Sequence, residues 1–330
     1  MDAVLQRLIG CHSTPGDEGE VRDVLEACWQ ASGWKSQRLG DYALLARNGR
    51  TESRRPVLLI CAHMDSPGFA IDRLRMPSAA RAKKTRFGVV ELGSPACRGA
   101  RAPAVLKTRG GKVPGTLVQT GDKRGEHDWT FEPDSDVTAE TGVRQGDRVC
   151  FAPRVPEVSG DELNAPFLDN RLGCWMLTRL ADEVRGWETP FEIVLAATAS
   201  EETCGFGARV LAAHADPART VVLDTTYESD EQNVRLGKGP VLTLSDTAVL
   251  VSPALRDRVL EWMAADGVPL QTEVYNFSGT DARAFPQAGR ICPVLPVLIP
   301  TRGNHSPAET ADLRDLGAWL KAIRTIAAHQ

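Results

Sequence analysis

Glu201 and Glu202 are adjacent carboxylates that follow closely on an apolar run, Phe191 to Thr198. Two ionised carboxylates held together repel, so a fold that keeps them in one site usually supplies cations. One can then ligate a metal ion while its neighbour takes a proton from water activated there. The plain alternative is a solvated pair at a helix start, favoured by the helix dipole. His63 and Asp65 follow a second apolar run, Pro56 to Ala62. From a strand end the two side chains point the same way, and the carboxylate can hold the imidazole in one tautomer. The alternative there is a buried histidine satisfied by its neighbour. Asp224 ends a third apolar run that begins at Thr220, and His305 follows a fourth, Ile291 to Pro300. Asp169 stands where a helical pattern begins, so helix capping is its ordinary reading.

These residues gain meaning from the elements that must carry them. Four apolar runs of strand length, separated by helical patterns, predict a parallel sheet. The carboxyl ends of such strands converge on one rim, where open α/β sheets bind ligands. Two imidazoles and three carboxylates on that rim match two transition-metal ions about 3.5–4 Å apart that share a bridging carboxylate. Each ion would take one histidine, one terminal carboxylate and the shared aspartate, with positions left open as a catalytic site requires. The three prolines in Ile291 to Pro300 predict an edge or interrupted strand. His12, His127, His214 and His329 fall in predicted surface helices or in the middle segment and are expected to be solvated.

Between about 72 and 162 helical periodicity gives way to short alternating segments, such as Phe87 to Leu92 and Asp147 to Phe151. This predicts a small β-barrel or sandwich inserted into the α/β domain, which would comprise 1–71 and 163–330. Arg73, Arg75, Arg81, Lys83, Lys84 and Arg86 make the start of the insert basic, but few aromatics interleave, so solvated loops or a subunit contact are expected rather than a nucleic-acid patch. The net charge of -4 likewise argues against a nucleic-acid partner. No apolar run is long enough to span a bilayer, and no membrane partner is expected. The first residues lack the apolar core of a signal peptide. The 8 cysteines are scattered, with no CxxC pair, and read as reduced thiols of a cytoplasmic protein.

Several of these segments, in this order, resemble the dinuclear zinc aminopeptidases of metallopeptidase family forty-two, which include the tetrahedral (TET) and glutamyl aminopeptidases. The segment Thr14 to Arg22 resembles that family's opening Pro-Gly…Glu…Val-Arg. Cys61 to Phe69 resembles its AHMDxxGF motif, and Phe167 to Gly173 its DNRxG motif. Ser200, Glu201 and Glu202 resemble QEE; Leu223 to Thr226 resembles LDVT; Ser278 to Ala282 resembles GGTDA. Arg302 to Pro307 with Ala311 to Leu316 resembles RYxHSP…DLxDL. Ser200, Ser278 and Gly303 depart from those motifs and bear on pocket shape, and none of them removes a ligand.

The resemblance implies an α/β fold: a three-layer α/β/α mixed-sheet catalytic domain, phosphorylase/hydrolase-like and of zinc-peptidase type, with an inserted small β-barrel. It implies that Asp169 bridges two divalent ions, zinc first, with cobalt or manganese as alternatives. His63 and Asp224 would complete one site and Glu202 and His305 the other. Glu201 would be the general base, and Asp65 would orient His63. The substrates implied are peptides with a free N-terminus, and the assembly implied is a homo-oligomer, often a dodecamer. A metal-dependent amidase or deacylase on N-acyl amino acids would use the same ligands, since fold does not decide substrate. A non-catalytic assembly protein on this scaffold is the third reading.

Overall fold

The computed structural model describes residues 2–48, 55–74, 86–97, 99, 101–119, 129–135, 137, 142–247 and 249–330. Four strands, Glu192–Thr198, Val57–His63, Arg219–Tyr227 and Val294–Arg302, run parallel and side by side. Three of them are nearly continuous apolar runs, as burial on both faces demands, and Arg219–Tyr227 is buried to Thr226 around an apolar centre at 221–223. The pleat divides them between two cores: Leu58, Ile60 and Ala62 join the larger cluster, Leu59 and Cys61 the smaller. The larger cluster packs helices Ala3–Ile9, Gly19–Ala31, Leu168–Glu183 and Leu313–Ala328 on one face; Phe206–His214 and Ala284–Gln287 cover the other. Antiparallel strands extend the sheet on both sides, so it is mixed: Ala43–Arg47 and Lys35–Leu39 beyond Thr198, and Glu309–Asp312, Glu162–Ala165 and Glu157–Ser159 beyond Arg302. The three-layer α/β/α architecture expected from the sequence is the one observed.

The strand Val294–Arg302 is not the edge strand its prolines predict. The bonds Thr220 N–H to Pro293 O and Glu228 N–H to Thr301 O put the odd-numbered residues of this strand against Arg219–Tyr227. Pro296 and Pro300 therefore present their missing N–H to the other side. There the sheet splits between two short partners, which pair only at Val297–Leu298 and Thr301–Arg302. The prolines fall in the gaps, so no ladder bond is lost.

The insert is a closed barrel of six strands, in the order Gly68–Arg73, Phe87–Leu92, Trp129–Pro133, Gly111–Gln119, Arg101–Thr108 and Arg148–Phe151. Phe69, Phe131 and Phe151 fill it, with the Phe69 ring 5.6 Å from Trp129 and 6.1 Å from Phe151. Its strands begin at Gly68 and end at Phe151, against the expected 72–162; the hairpin of 157–165 pairs with Glu309–Asp312 and so belongs to the large sheet. Lys107 and Lys112 tie the barrel to Asp17 and Glu20, each at 2.7 Å. Of the basic segment, Arg86 pairs with Glu132, while Arg75, Arg81, Lys83 and Lys84 lie outside the described residues.

His12 is buried rather than solvated, at 1% exposure, because the barrel closes over the turn that follows it. Burial, then the Lys107 charge, pushes its imidazole down to about 3, against Glu20. His214 is exposed and His329 stacks on Trp262 at 5.0 Å; His127 lies outside the described residues. All eight cysteines are free thiols. No helix among the described residues is long and apolar enough to cross a membrane.

Candidate metal centre

His63 is the last residue of its strand. Its Nε2 lies 3.1 Å from Asp224 Oδ1 and 3.3 Å from Asp169 Oδ1. Its Nδ1 faces the Asp65 carbonyl at 3.1 Å, with the Asp65 carboxylate at 3.5 Å. That carboxylate is bound more directly to the next loop: it accepts the N–H of Glu201 at 3.1 Å and of Glu202 at 3.2 Å. The Asp65 carboxylate thus binds the backbone of the glutamate pair, while its carbonyl faces the imidazole.

Asp169 is the second residue of the helix Leu168–Glu183 but has an extended backbone and caps nothing. Its N–H donates to Glu309 Oε2 at 2.8 Å, and its Oδ2 accepts Thr225 Oγ1 at 2.9 Å. The next residue, Asn170, donates to Leu223 O and accepts the Gly173 N–H. A Cβ on Gly173 would lie 2.3 Å from Asn170 Oδ1 and 2.9 Å from Ala62 Cβ. Glycine there lets the helix close on the strand that ends in His63.

Glu201 and Glu202 sit in the turn between Thr198 and the helix Phe206–His214. Ser200 before them has φ 61°, and its N–H and Oγ donate to the buried Glu18 at 3.0 and 3.2 Å. Arg283 donates to Glu201 Oε1 at 3.0 Å. On the last loop, His305 N–H donates to Glu309 Oε1 at 2.8 Å, and Nδ1 faces the Ser94 carbonyl of the insert at 3.1 Å. His305 Nε2 lies 3.4 Å from Asp169 Oδ2 and 3.5 Å from Glu202 Oε2.

Two groups result: His63, Asp169 and Asp224, and Asp169, Glu202 and His305, each with ligand atoms within 4.8 Å of one another. Asp169 is common to both. The five line one cavity with Glu201, and Asp65 is buried behind them. All seven residues singled out in the sequence therefore meet in one place.

The donors fit divalent cations. Asp169 Oδ1 and Glu202 Oε1 are buried and accept no hydrogen bond. Burial pushes the Glu202 carboxyl up to about 8; His305 opposes this and the Asp169 and Asp65 charges add to it. Burial pushes the His305 imidazole down, but the Glu202 and Asp169 charges outweigh it and raise it to about 10. Carboxyls that resist ionising and imidazoles that hold protons both mark a surplus of negative charge that a cation would balance. Imidazole and carboxylate suit zinc, cobalt or manganese.

Sequence reasoning passed over four supporting residues. Glu309 clamps the backbones of Asp169 and His305, Glu18 holds Ser200, Arg283 holds Glu201, and Asn304 donates to Thr225 Oγ1 at 2.9 Å.

A model of the family described as M42 glutamyl aminopeptidase matches residues 127–321. The chain is 27% identical to the glutamyl aminopeptidase of Lactococcus lactis, over 97% of this chain and 95% of that one. It is 28% identical to the lysyl aminopeptidase of Pyrococcus furiosus, over 82% and 81%. Among solved structures it superposes on the TET aminopeptidase of a marine sediment thaumarchaeote with a TM-score of 0.87 at 21% identity, covering 99% and 96%. It superposes on the TET1 peptidase of Pyrococcus horikoshii with a TM-score of 0.82 at 22% identity, covering 99% of each. With more than half its length matched by the family model, the chain belongs to the M42 glutamyl aminopeptidase family and is an aminopeptidase, a hydrolase of peptide bonds.

Proposed function

We propose that this aminopeptidase works through two divalent metal ions and a glutamate base. The observation that carries this is the sharing of Asp169 between two groups that each add one histidine and one carboxylate. His63, Asp169 and Asp224 would hold one ion, and Asp169, Glu202 and His305 the other. Two bound ions supply Lewis-acid activation of the attacking water and of the scissile carbonyl. Glu201 faces the same cavity with one oxygen on Arg283, and its other oxygen is available to take the proton of the attacking water and pass it to the leaving amine. Asp65 holds the Glu201 and Glu202 backbones, so base and ligand keep a constant offset. Zinc is the first candidate, with cobalt and manganese next.

Hydrolysis of aminoacyl-p-nitroanilides and their N-acetyl counterparts tests this. Chelation should abolish release, added zinc or cobalt should restore it, and the acetylated substrates should be inert. Glu201→Gln should keep its metal content and lose about 10²–10⁴-fold in kcat. Full turnover by that variant with both ions bound sinks the base assignment, and turnover of the acetylated set moves the activity to a deacylase.

We also propose a homo-oligomer. The Pyrococcus horikoshii TET1 peptidase is described as assembling into a tetrahedron or a larger octahedral shell, and this chain shares its fold over 99% of its length. Light scattering that gives a monomer mass at micromolar concentration refutes it.

A further inference from the structure

The cavity of about 250 Å³ beside the two ligand groups extends past Asp224 to a floor that hydrolysis itself does not require. Asp224 and Thr226 stand two residues apart on one strand and so share a face. Thr226 Oγ1 donates to Glu273 Oε2 at 2.8 Å, and Thr243 Oγ1 donates to Glu273 Oε1 at 2.7 Å. Glu273 is 4% exposed, lines the cavity and makes no ion pair among the described residues. Asp246 lines the same cavity and accepts the Val249 N–H at 2.6 Å. Burial pushes the Glu273 carboxyl up, the two hydroxyls pull it down, and the Asp246 charge pushes it up again.

The charges do not balance within the protein. Two divalent ions would carry four positive charges, matched by the carboxylates of Asp65, Asp169, Asp224 and Glu202. Arg283, the one arginine in the described lining, is bound to Glu201. Glu273 is left over, with the Asp246 charge beside it, in a buried place where a lone carboxylate is costly. The side of the cavity is aromatic: the Tyr275 ring lies 6.0 Å from Tyr227 and 5.7 Å from Phe277. Rings of this kind pack against an alkyl stem and attract a cation at its tip.

We propose, on the aminopeptidase reading above, that this cavity receives the side chain of the substrate's first residue and that Glu273 selects lysine and arginine. The lengths agree. Two strand residues advance about 6.6 Å beyond Asp224, and an extended lysine reaches about 6 Å from Cα to Nζ. A first residue whose α-amine sits at the ligand groups therefore brings its ammonium to Glu273. A first residue of glutamate or aspartate meets like charge at the same floor and is rejected.

The test compares L-lysinamide with L-norleucinamide, which has a similar stem but no ammonium, by titration calorimetry on the zinc-loaded protein. The p-nitroanilides of lysine, arginine, leucine and glutamate are assayed in parallel. Lysinamide should bind at least tenfold tighter than norleucinamide, and kcat/KM should rank lysine and arginine above leucine, with glutamate last. In Glu273→Gln the lysine-to-leucine ratio should fall at least tenfold. Equal binding of the two amides, or glutamate or leucine ranking first in the wild type, overturns the proposal without need of any variant. An unchanged ratio in a folded Glu273→Gln does the same. Silence on every p-nitroanilide overturns the aminopeptidase mechanism as well, whereas turnover without basic preference overturns only the role of Glu273.

Discussion

Replacing Glu309 by glutamine keeps the shape of the side chain and removes half of what it does. Glu309 is 1% exposed, and each of its oxygens accepts one backbone N–H at 2.8 Å, from Asp169 and from His305. Glutamine offers one acceptor and one donor. In Glu309→Gln one N–H keeps its bond and the other faces an NH₂ group. Losing a bond to a charged acceptor costs about 1.5–3 kcal/mol, and a buried N–H without a partner about 1–3 more. Burial already pushes the Glu309 carboxyl well above its usual range, and the Asp169 charge adds to this, so removing the charge returns part of that cost. A net loss of about 2–3 kcal/mol in unfolding free energy is expected. Residues that support metal ligands typically contribute about 10–100-fold to affinity, so zinc binding should weaken at least tenfold. Urea unfolding of the chelated protein reads the first quantity, and competition with a chromogenic chelator reads the second. Glu309→Ala, which strips both N–H groups of their acceptor, should be at least as harmful. A Glu309→Gln protein that binds zinc like the wild type and loses less than about 0.5 kcal/mol would refute the clamp.

Two further outcomes rest on different parts of the fold. A Cβ on Gly207 would lie 2.2 Å from Ala199 N and 2.5 Å from Tyr42 O, both rigid backbone. Gly207→Ala should therefore cost about 1–3 kcal/mol and, because Ala199 leads into the Glu201 turn, should lower kcat; a melting curve and a turnover assay identical to wild type would contradict this. At the barrel junction burial pushes the Glu20 carboxyl up, but the Lys112 bond at 2.7 Å and the His12 N–H outweigh it, so Glu20 titrates below its usual range. A depressed carboxyl stabilises the fold above its unfolded pKa of about 4.3 and loses that effect as pH falls through the lower folded value. The stability gap between wild type and Glu20→Gln should thus narrow on acidification from pH 7 towards pH 3. A gap that stays constant across that range rules the linkage out.

The grouping of the proposed ligands was legible in the sequence because strand burial leaves a strong trace. A polar residue at the end of an apolar run has few roles, and His63, Asp224 and the Glu201–Glu202 pair each stand in that position. Asp169 was less legible, since an aspartate at a helix start has an ordinary explanation; only its extended backbone separates the two. Glu309 left little trace because its partners are backbone N–H groups, which any residue offers. Pro296 and Pro300 misled because the rule against proline in central strands assumes a partner on both sides at every position, and here the second side is divided between two short strands. His12 misled because its burial comes from the barrel, a distant segment that local periodicity does not register.

The bond from the insert's Ser94 carbonyl to His305 spans 211 positions of chain. His63 meets Asp224 across 161 positions and Asp169 meets Glu309 across 140. Contacts so remote in sequence form late in folding, after many loops have been closed without reward. During synthesis the barrel and the first three strands of the parallel set leave the ribosome well before His305 does. The barrel must therefore be built and docked before the last imidazole has its final support. A two-ion centre of the proposed kind would need both ligand groups, and it would therefore stay silent until the chain has folded through His305.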